Sequence, residues 1–322
     1  MGIGGDQMVK IAFVFPGQGS QFVGMAKDLY DHVPSSRLLM EEANDILGYD
    51  LASICFNGPE DSLKLTQNTQ PALLVHSTMA LNILKENGID SVLVAGHSLG
   101  EFSALVSAGA LQFKDAVRLV RLRGQFMQEA VPVGVGTMAA IIGLQIDTLQ
   151  GICDQVSSES FVVQPANLNS PMQTVIAGHK EAVDRVSEEA LKAGAKKAIL
   201  LPVSAPFHSA LMKPAEIRLQ KELEQTEFRD LTCPLITNIE AKPITVGSEA
   251  RSALVKQVCS PVRWSETMQV LVDQKVNTVI ELGSGKVLSG LIKRFNRDIS
   301  CYQVGDRESL SQTLAALNAS DK

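Results

Sequence analysis

Short apolar runs alternate with longer amphipathic stretches through most of this sequence. Ile11–Phe15 is an unbroken apolar run ended by Pro16-Gly17, the pattern of a buried strand and a turn. Gln21–Tyr30 and Ser35–Leu47 carry helical periodicity. Gln70–Asn87 reads as a long amphipathic helix closed by Gly88. Ser91–Ala95 is a second buried strand, and Phe102–Ala110 and Lys114–Ala130 are helices. Buried strands alternating with helices predict a mostly parallel sheet covered on both faces.

The pattern then changes. Thr137–Gly143, Phe161–Ala166, Met172–Ala177 and Ala198–Val203 read as strands, with helices at Asp147–Ser157 and Lys180–Ala193. That order is β-α-β-β-α-β, the ferredoxin-like unit. Beyond it the first pattern resumes, with helices at Ala210–Glu224, Ser248–Gln257, Trp264–Asp273 and Lys286–Phe295. Strands at Pro234–Asn238, Thr278–Leu282 and Ser300–Val304 complete it. The expected organisation is a discontinuous larger domain, 9–132 and 204–316, interrupted by an insertion at 133–203. The length of 322 residues suits two such units.

Charge narrows the function. The net charge of -6 argues against a protein that coats nucleic acid or anionic membrane, because phosphate binding needs a basic surface. The cysteines Cys55, Cys153, Cys233, Cys259 and Cys301 form no C-x-x-C pair and share no ligand spacing with a histidine. A disulfide framework and a structural zinc site are therefore not expected. Met1–Met8 lacks the basic start and apolar core of a secretory signal and reads as a short disordered extension, with Met8 a candidate natural start. The long uncharged run Ala130–Ile146 contains Pro132, Gly134, Gly136 and Gly143, which fits a linker and a strand better than a membrane span. A soluble, cytoplasmic protein is expected.

Gly96-His97-Ser98-Leu99-Gly100 follows a predicted strand and precedes a predicted helix. That is the context in which G-x-S-x-G forms a nucleophile elbow. The sharp turn exposes the serine at a helix N-terminus, and glycines remove side chains that would clash there. A serine nucleophile needs a base. Of the histidines, His32 lies in a connection, His76 is mid-helix among apolar residues, and His179 starts a polar helix. His97 adjoins the serine, but neighbouring side chains at a tight turn diverge. His208, in Pro206-Phe207-His208, lies just after a predicted strand, where ligands gather in such sheets. No acid for a triad is evident. A dyad oriented by a backbone carbonyl stays open beside a triad.

Arg123 falls in the middle of the apolar face of its helix, among Leu119, Val120, Phe126 and Met127. A guanidinium buried there needs a partner. That partner is either structural or the carboxylate of a substrate, which guanidinium geometry grips with two bonds. Pro16-Gly17-Gln18-Gly19-Ser20-Gln21 resembles a dinucleotide loop but lacks the last glycine, since Phe22 stands there. A loop donating backbone N–H groups to an oxyanion fits it better. Gly283-Ser284-Gly285-Lys286 resembles part of a phosphate loop, but Val287 replaces the required hydroxyl, so it reads as a helix start.

Together, Phe13-Val14-Phe15-Pro16-Gly17-Gln18-Gly19-Ser20-Gln21, Gly96-His97-Ser98-Leu99-Gly100-Glu101, Met127-Gln128, Pro206-Phe207-His208 and Glu281-Leu282-Gly283 resemble one family. It is that of the malonyl-CoA:acyl carrier protein transacylases of bacterial fatty acid synthesis. The same fold forms the acyltransferase domains of polyketide synthases. The likeness runs from about Val9 to Ala315. It implies an α/β-hydrolase-like core with a mostly parallel sheet and an inserted ferredoxin-like subdomain. It also implies Ser98 as nucleophile, His208 as base and Arg123 as holder of the malonyl carboxylate. Gln18 and Leu99 match the oxyanion donors, and Gln257 the residue whose carbonyl orients the histidine. Phe207 fits malonyl-type enzymes, although many free-standing members carry Ser there, so this position is closer to the polyketide pattern.

The implied substrates are malonyl-CoA and acyl carrier protein, with no metal or bound cofactor. Lys192, Lys196 and Lys197 form a basic cluster suited to an acidic carrier. A polyketide acyltransferase, a serine thioesterase and a non-catalytic carrier-binding domain are the competing expectations.

Overall fold

The computed structural model describes residues 9–203 and 205–320. The extension expected at Met1–Met8 lies outside the described residues, as does Ser204 at the expected domain boundary. From the N-terminus, β1 (Ile11–Phe15) leads through α1 (Lys27–His32), α2 (Pro34–Leu47), α3 (Leu51–Asn57) and α4 (Glu60–Lys64) to α5 (Thr66–Glu86). β2 (Leu93–Gly96), α6 (Gly100–Ser107) and α7 (Phe113–Glu129) follow. Next come β3 (Gly136–Ile142), α8 (Ile146–Val156), β4 (Val163–Ser170), β5 (Gln173–His179), α9 (Lys180–Lys192) and β6 (Lys197–Leu200). A 3-10 turn at Ala210–Met212 opens the last stretch: α10 (Lys213–Glu224), β7 (Leu235–Ile236), β8 (Pro243–Ile244), α11 (Gly247–Gln257) and α12 (Trp264–Asp273). β9 (Thr278–Leu282), α13 (Val287–Phe295), β10 (Ser300–Val304) and α14 (Arg307–Ser320) close it.

Six strands form one sheet in the order β10-β9-β1-β2-β7-β8. Its pairings are parallel except β7 with β8. β1 lies inside the sheet and is buried on both faces, which its unbroken apolar run requires. The two-residue period sorts its side chains. Phe13 and Phe15 enter the core with α5, α6 and α7, while Ala12 and Val14 face Trp264, Met268 and Leu291 of α12 and α13. The second sheet has the order β4-β5-β3-β6, with every pairing antiparallel. Its own core, built on Ile141, Leu149, Ile176 and Val186, faces α8 and α9. β4 is tied to the segment between α11 and α12 by two backbone bonds, Leu168 N to Val262 O and Val262 N to Ala166 O, each 2.8 Å.

Some expected elements move. The helix expected over Gln21–Tyr30 starts only at Lys27, because Gly24 and Ala26 adopt left-handed φ values of 99° and 63°. α5 begins at Thr66 rather than Gln70 and runs through Pro71. Proline leaves the carbonyl four residues back without its helical donor, and Arg121 Nη1 supplies one, 2.9 Å from Gln67 O. Arg121 is accordingly half-buried. The short α3 and α4, the two-residue β8 and the terminal α14 go beyond the expected elements. Among the described residues no helix is long and apolar enough to cross a membrane.

Candidate active site

β2 ends at Gly96 and α6 starts at Gly100, so only His97, Ser98 and Leu99 turn the chain. A Cβ on Gly96 would overlap the backbone of Gly100, and one on Gly17 would overlap the His97 carbonyl. The elbow and the loop after β1 can pack together only with glycine at these positions. Ser98 is held at a left-handed φ of 53°, a costly conformation for a residue with a Cβ. Asn238, just after β7, clamps it. Its Oδ1 accepts from Ser98 N at 2.7 Å and its Nδ2 donates to Gly96 O at 2.6 Å.

His208 also has a left-handed φ, 59°. Its Nε2 lies 2.7 Å from Ser98 Oγ and its Nδ1 lies 2.8 Å from the Gln257 carbonyl. A carbonyl only accepts, so Nδ1 carries the proton and Nε2 offers its lone pair to the serine hydroxyl. Gln257 is the last residue of α11, where helix carbonyls lack internal donors. A backbone carbonyl therefore occupies the position that a triad gives to an acid. Burial, and then the charge of Arg123, push the His208 pKa down to about 3. The imidazole is a neutral base.

Arg123 is 1% exposed. Its Nη1 donates to Gln70 Oε1 at 2.9 Å, and its Nη2 donates to Gln257 Oε1 at 2.9 Å and to Ser98 Oγ at 3.2 Å. The guanidinium carbon stands 5.7 Å from the Phe102 ring centre. Its Nε has no partner among the described residues. Burial pulls its pKa down to about 10, with Glu101 opposing, so it stays charged near neutrality. Glu101, in the first turn of α6, is equally buried. It accepts from Gln257 Nε2 at 2.6 Å and from the Asn238 backbone at 3.4 Å. Burial pushes its pKa up to about 7, against the pull of these donors and of Arg123.

The structure thus gathers Ser98, His208, Arg123 and Gln257 at one point, with Leu99 following the serine. The Gln18 side chain donates to Thr66 Oγ1 at 3.3 Å, in the loop that Gly17 packs on the elbow. Phe207 is buried in the main core beside His208. Lys192, Lys196 and Lys197 lie exposed on the second unit, and Lys192 pairs with Glu189 at 2.9 Å. The other histidines have other work. His76 is buried between Ser284 Oγ and Gly305 O, and His97 Nε2 meets Asn169 Oδ1 at 2.9 Å. His32 is exposed at the end of α1, and His179 accepts from Val162 N. At the phosphate-loop look-alike, Glu281 fills the anion position itself, accepting from Leu288 N and Ser289 N at 3.1 and 2.8 Å.

Gln70, Glu101, Asn238 and Asn169 are the site residues that sequence reasoning missed. Glu101 did leave a signal, a carboxylate in an otherwise uncharged stretch, whereas Gln70 ends the polar run Thr66–Gln70 and left none. The two asparagines lie in unremarkable stretches and gain meaning only when the chain folds.

The family described as acyl transferase domain matches residues 12–305. The chain is 49% identical to the malonyl CoA-acyl carrier protein transacylase of Bacillus subtilis (strain 168), over 96% of this chain and 98% of that protein. An acyl carrier protein S-malonyltransferase from Vibrio cholerae, known from its crystal structure, shares 45% identity at a TM-score of 0.91, covering 94% of this chain and 99% of that one. A malonyl-transacylase solved in complex with its type II polyketide acyl carrier protein shares 46% identity at a TM-score of 0.92, over 95% and 99%. The fold, so matched, defines an acyltransferase. The chain belongs to the malonyl-CoA:acyl carrier protein transacylase family.

Proposed function

We propose that this protein moves the malonyl group from malonyl-CoA to the phosphopantetheine thiol of acyl carrier protein, through a malonyl ester on Ser98. The observation that carries the reading is the double approach to one hydroxyl: His208 Nε2 at 2.7 Å and Arg123 Nη2 at 3.2 Å from Ser98 Oγ. The first makes the oxygen a nucleophile. The second puts a buried cation one short acyl chain away from the new ester bond.

His208 takes the serine proton as Oγ attacks the thioester carbonyl. The oxyanion forms against backbone N–H groups. Ser98 N–H is engaged by Asn238, so the donor assigned on the elbow is that of Leu99, with Gln18 opposite. The C–S bond breaks and His208 returns the proton to the coenzyme A sulfur. The carrier's thiol then enters, His208 takes its proton, and the malonyl group passes to that sulfur as Ser98 regains its hydrogen. Arg123 holds the malonyl carboxylate throughout. The reaction supplies malonyl units to fatty acid biosynthesis.

The insertion at 133–203 is assigned as a ferredoxin-like subdomain, supported by its element order and antiparallel sheet. The larger domain is then 9–132 with 204–316. Lys192, Lys196 and Lys197 on the insertion are assigned to carrier docking. Mass spectrometry of the intact protein after exposure to malonyl-CoA tests the reading. A malonyl adduct on Ser98 that carrier protein discharges supports it. Rapid loss of the adduct as free malonate, without carrier, would mark a thioesterase instead.

A further inference from the structure

Arg123 and Glu101 are the buried opposite charges of this site, yet neither touches the other. Among the described residues every hydrogen-bond partner of Arg123 is neutral: Gln70, Gln257 and Ser98. Gln257 stands between the two charges. Its Oε1 accepts from the guanidinium and its Nε2 donates to the Glu101 carboxylate. A flipped Gln257 would aim its NH2 group at a cation and its oxygen at an anion, so the amide has a single stable orientation. The arrangement balances the charge of Arg123 without spending its fork on an internal salt bridge. Nε remains without a partner.

That balance changes when a substrate carboxylate arrives. The cluster then holds two carboxylates around one guanidinium, all shielded from water. Two like charges that share one buried counter-charge do not both stay ionised. The incoming carboxylate contacts Arg123 directly, whereas Glu101 sees it through an amide, so Glu101 is the group that gives way.

We propose that Glu101 is a positioning residue that serves as the resting counter-charge of Arg123 and takes a proton from solvent as the malonyl carboxylate binds. The inference rests on the assignment of Arg123 to that carboxylate. The proton adds to Glu101 only. In the loading reaction itself the serine O–H and thioester C–S bonds are exchanged for an ester C–O and a thiol S–H, with no net proton.

The surroundings single out Glu101. α7 contributes Arg123, the segment after β6 contributes His208, and the elbow contributes His97. Burial holds both imidazoles below their ordinary pKa. α11, α5 and the segment after β7 contribute the neutral amides Gln257, Gln70 and Asn238. The Glu101 pKa of about 7 places its charge change in the working range, and the N-terminus of α6 favours its ionised form while the site is empty.

The test compares malonyl-CoA with acetyl-CoA, which has no carboxylate. Wild-type protein is mixed with each thioester in weak buffer at about pH 8 with an indicator dye. Malonyl loading is expected to take up more protons than acetyl loading. The equilibrium constant for forming malonyl-enzyme, taken relative to that for acetyl-enzyme, should also fall as pH rises above neutrality, approaching about tenfold per unit. Glu101→Gln, which stays neutral, should abolish both the extra uptake and the slope, with circular dichroism confirming its fold. Equal proton counts for the two thioesters in the wild type, or an unchanged slope in Glu101→Gln, would overturn the proposal. Should the variant not fold, the wild-type comparison decides alone. Failure of the underlying assignment has a separate signature: Arg123→Ala would then depress malonyl and acetyl loading equally.

Discussion

The guanidinium of Arg123 stands 3.2 Å from the hydroxyl oxygen of Ser98. One contact thereby links the group assigned to recognition with the group assigned to chemistry. The serine hydrogen points to His208 Nε2, so the Arg123 contact falls on an oxygen lone pair. Once that oxygen carries an acyl group, the same N–H is free to turn towards the acyl chain. A malonyl group places its carboxylate a single methylene beyond the carbonyl, which suits so short a separation.

Ser98→Ala should abolish the covalent intermediate. Among the described residues no other hydroxyl meets a histidine at the end of a sheet strand within this site. Intact-mass measurement after malonyl-CoA exposure checks this, and a full adduct on the variant would refute the assignment.

His208→Ala should slow both half-reactions by about 10²–10⁴-fold, since one base serves both. The pH dependence carries a sign. The folded pKa lies below the ordinary histidine value, so His208 stays unprotonated, and competent as a base, well below pH 6.5. Sulfonylation of Ser98 by an uncharged sulfonyl fluoride should therefore keep its rate as pH falls through that value. A loss of rate centred there would contradict the depressed pKa. In the same window the unfolded chain protonates this histidine and the folded one does not, so His208 favours folding less as pH falls from 6.5 towards 3.

These assignments were legible in the sequence to different depths. The elbow was legible because its chemistry is local: a strand, two glycines and a helix start within a few residues. Arg123 was legible because a cation on an apolar helix face breaks the periodicity. The sheet order follows less directly, since β9 pairs with β1 from across most of the chain. Asn238 was silent. Asn238 clamps an elbow 140 positions away, a contact that no local pattern encodes. The start of α5 was hidden by Pro71, whose missing donor is replaced from another helix.

Asn238→Ala should damage the elbow without altering acyl selectivity. It removes the clamp on Ser98 N and Gly96 O, and each buried group left unpaired costs about 1–3 kcal/mol. Ser98 is then released from its left-handed conformation. Malonyl and acetyl acylation should fall by similar factors while the melting temperature drops. A change in the malonyl-to-acetyl ratio would show that Asn238 also acts on recognition.

Charge reversal at Lys196 and Lys197 should slow transfer to carrier protein and leave loading from malonyl-CoA intact. Both lysines are exposed on the second unit, and neither belongs to the Ser98 cluster. Steering by exposed charges weakens with salt, so the defect should be greatest at low ionic strength. Unchanged transfer at low salt would remove these lysines from the docking surface.

Arg123→Ala separates recognition from chemistry. In the wild type the guanidinium is 1% exposed, so a carboxylate that pairs with it must leave water to do so. Removing one side of a buried pair costs about 3–5 kcal/mol. If the contact persists into the transition state, that is roughly 100- to several thousand-fold in malonyl acylation. Acetyl-CoA lacks the carboxylate and escapes this loss, so preference should shift towards uncharged acyl groups. The substitution also strips an N–H donor from Gln70 and Gln257, so a lower melting temperature is expected in either case. Arg123→Lys keeps the charge but not the planar fork, and should recover only part of the malonyl rate. Acylation rates with each thioester, measured on variants shown to be folded by circular dichroism, decide the matter. Equal losses for malonyl and acetyl groups would make Arg123 a scaffold for the Gln257–Glu101 network rather than the residue that selects the substrate.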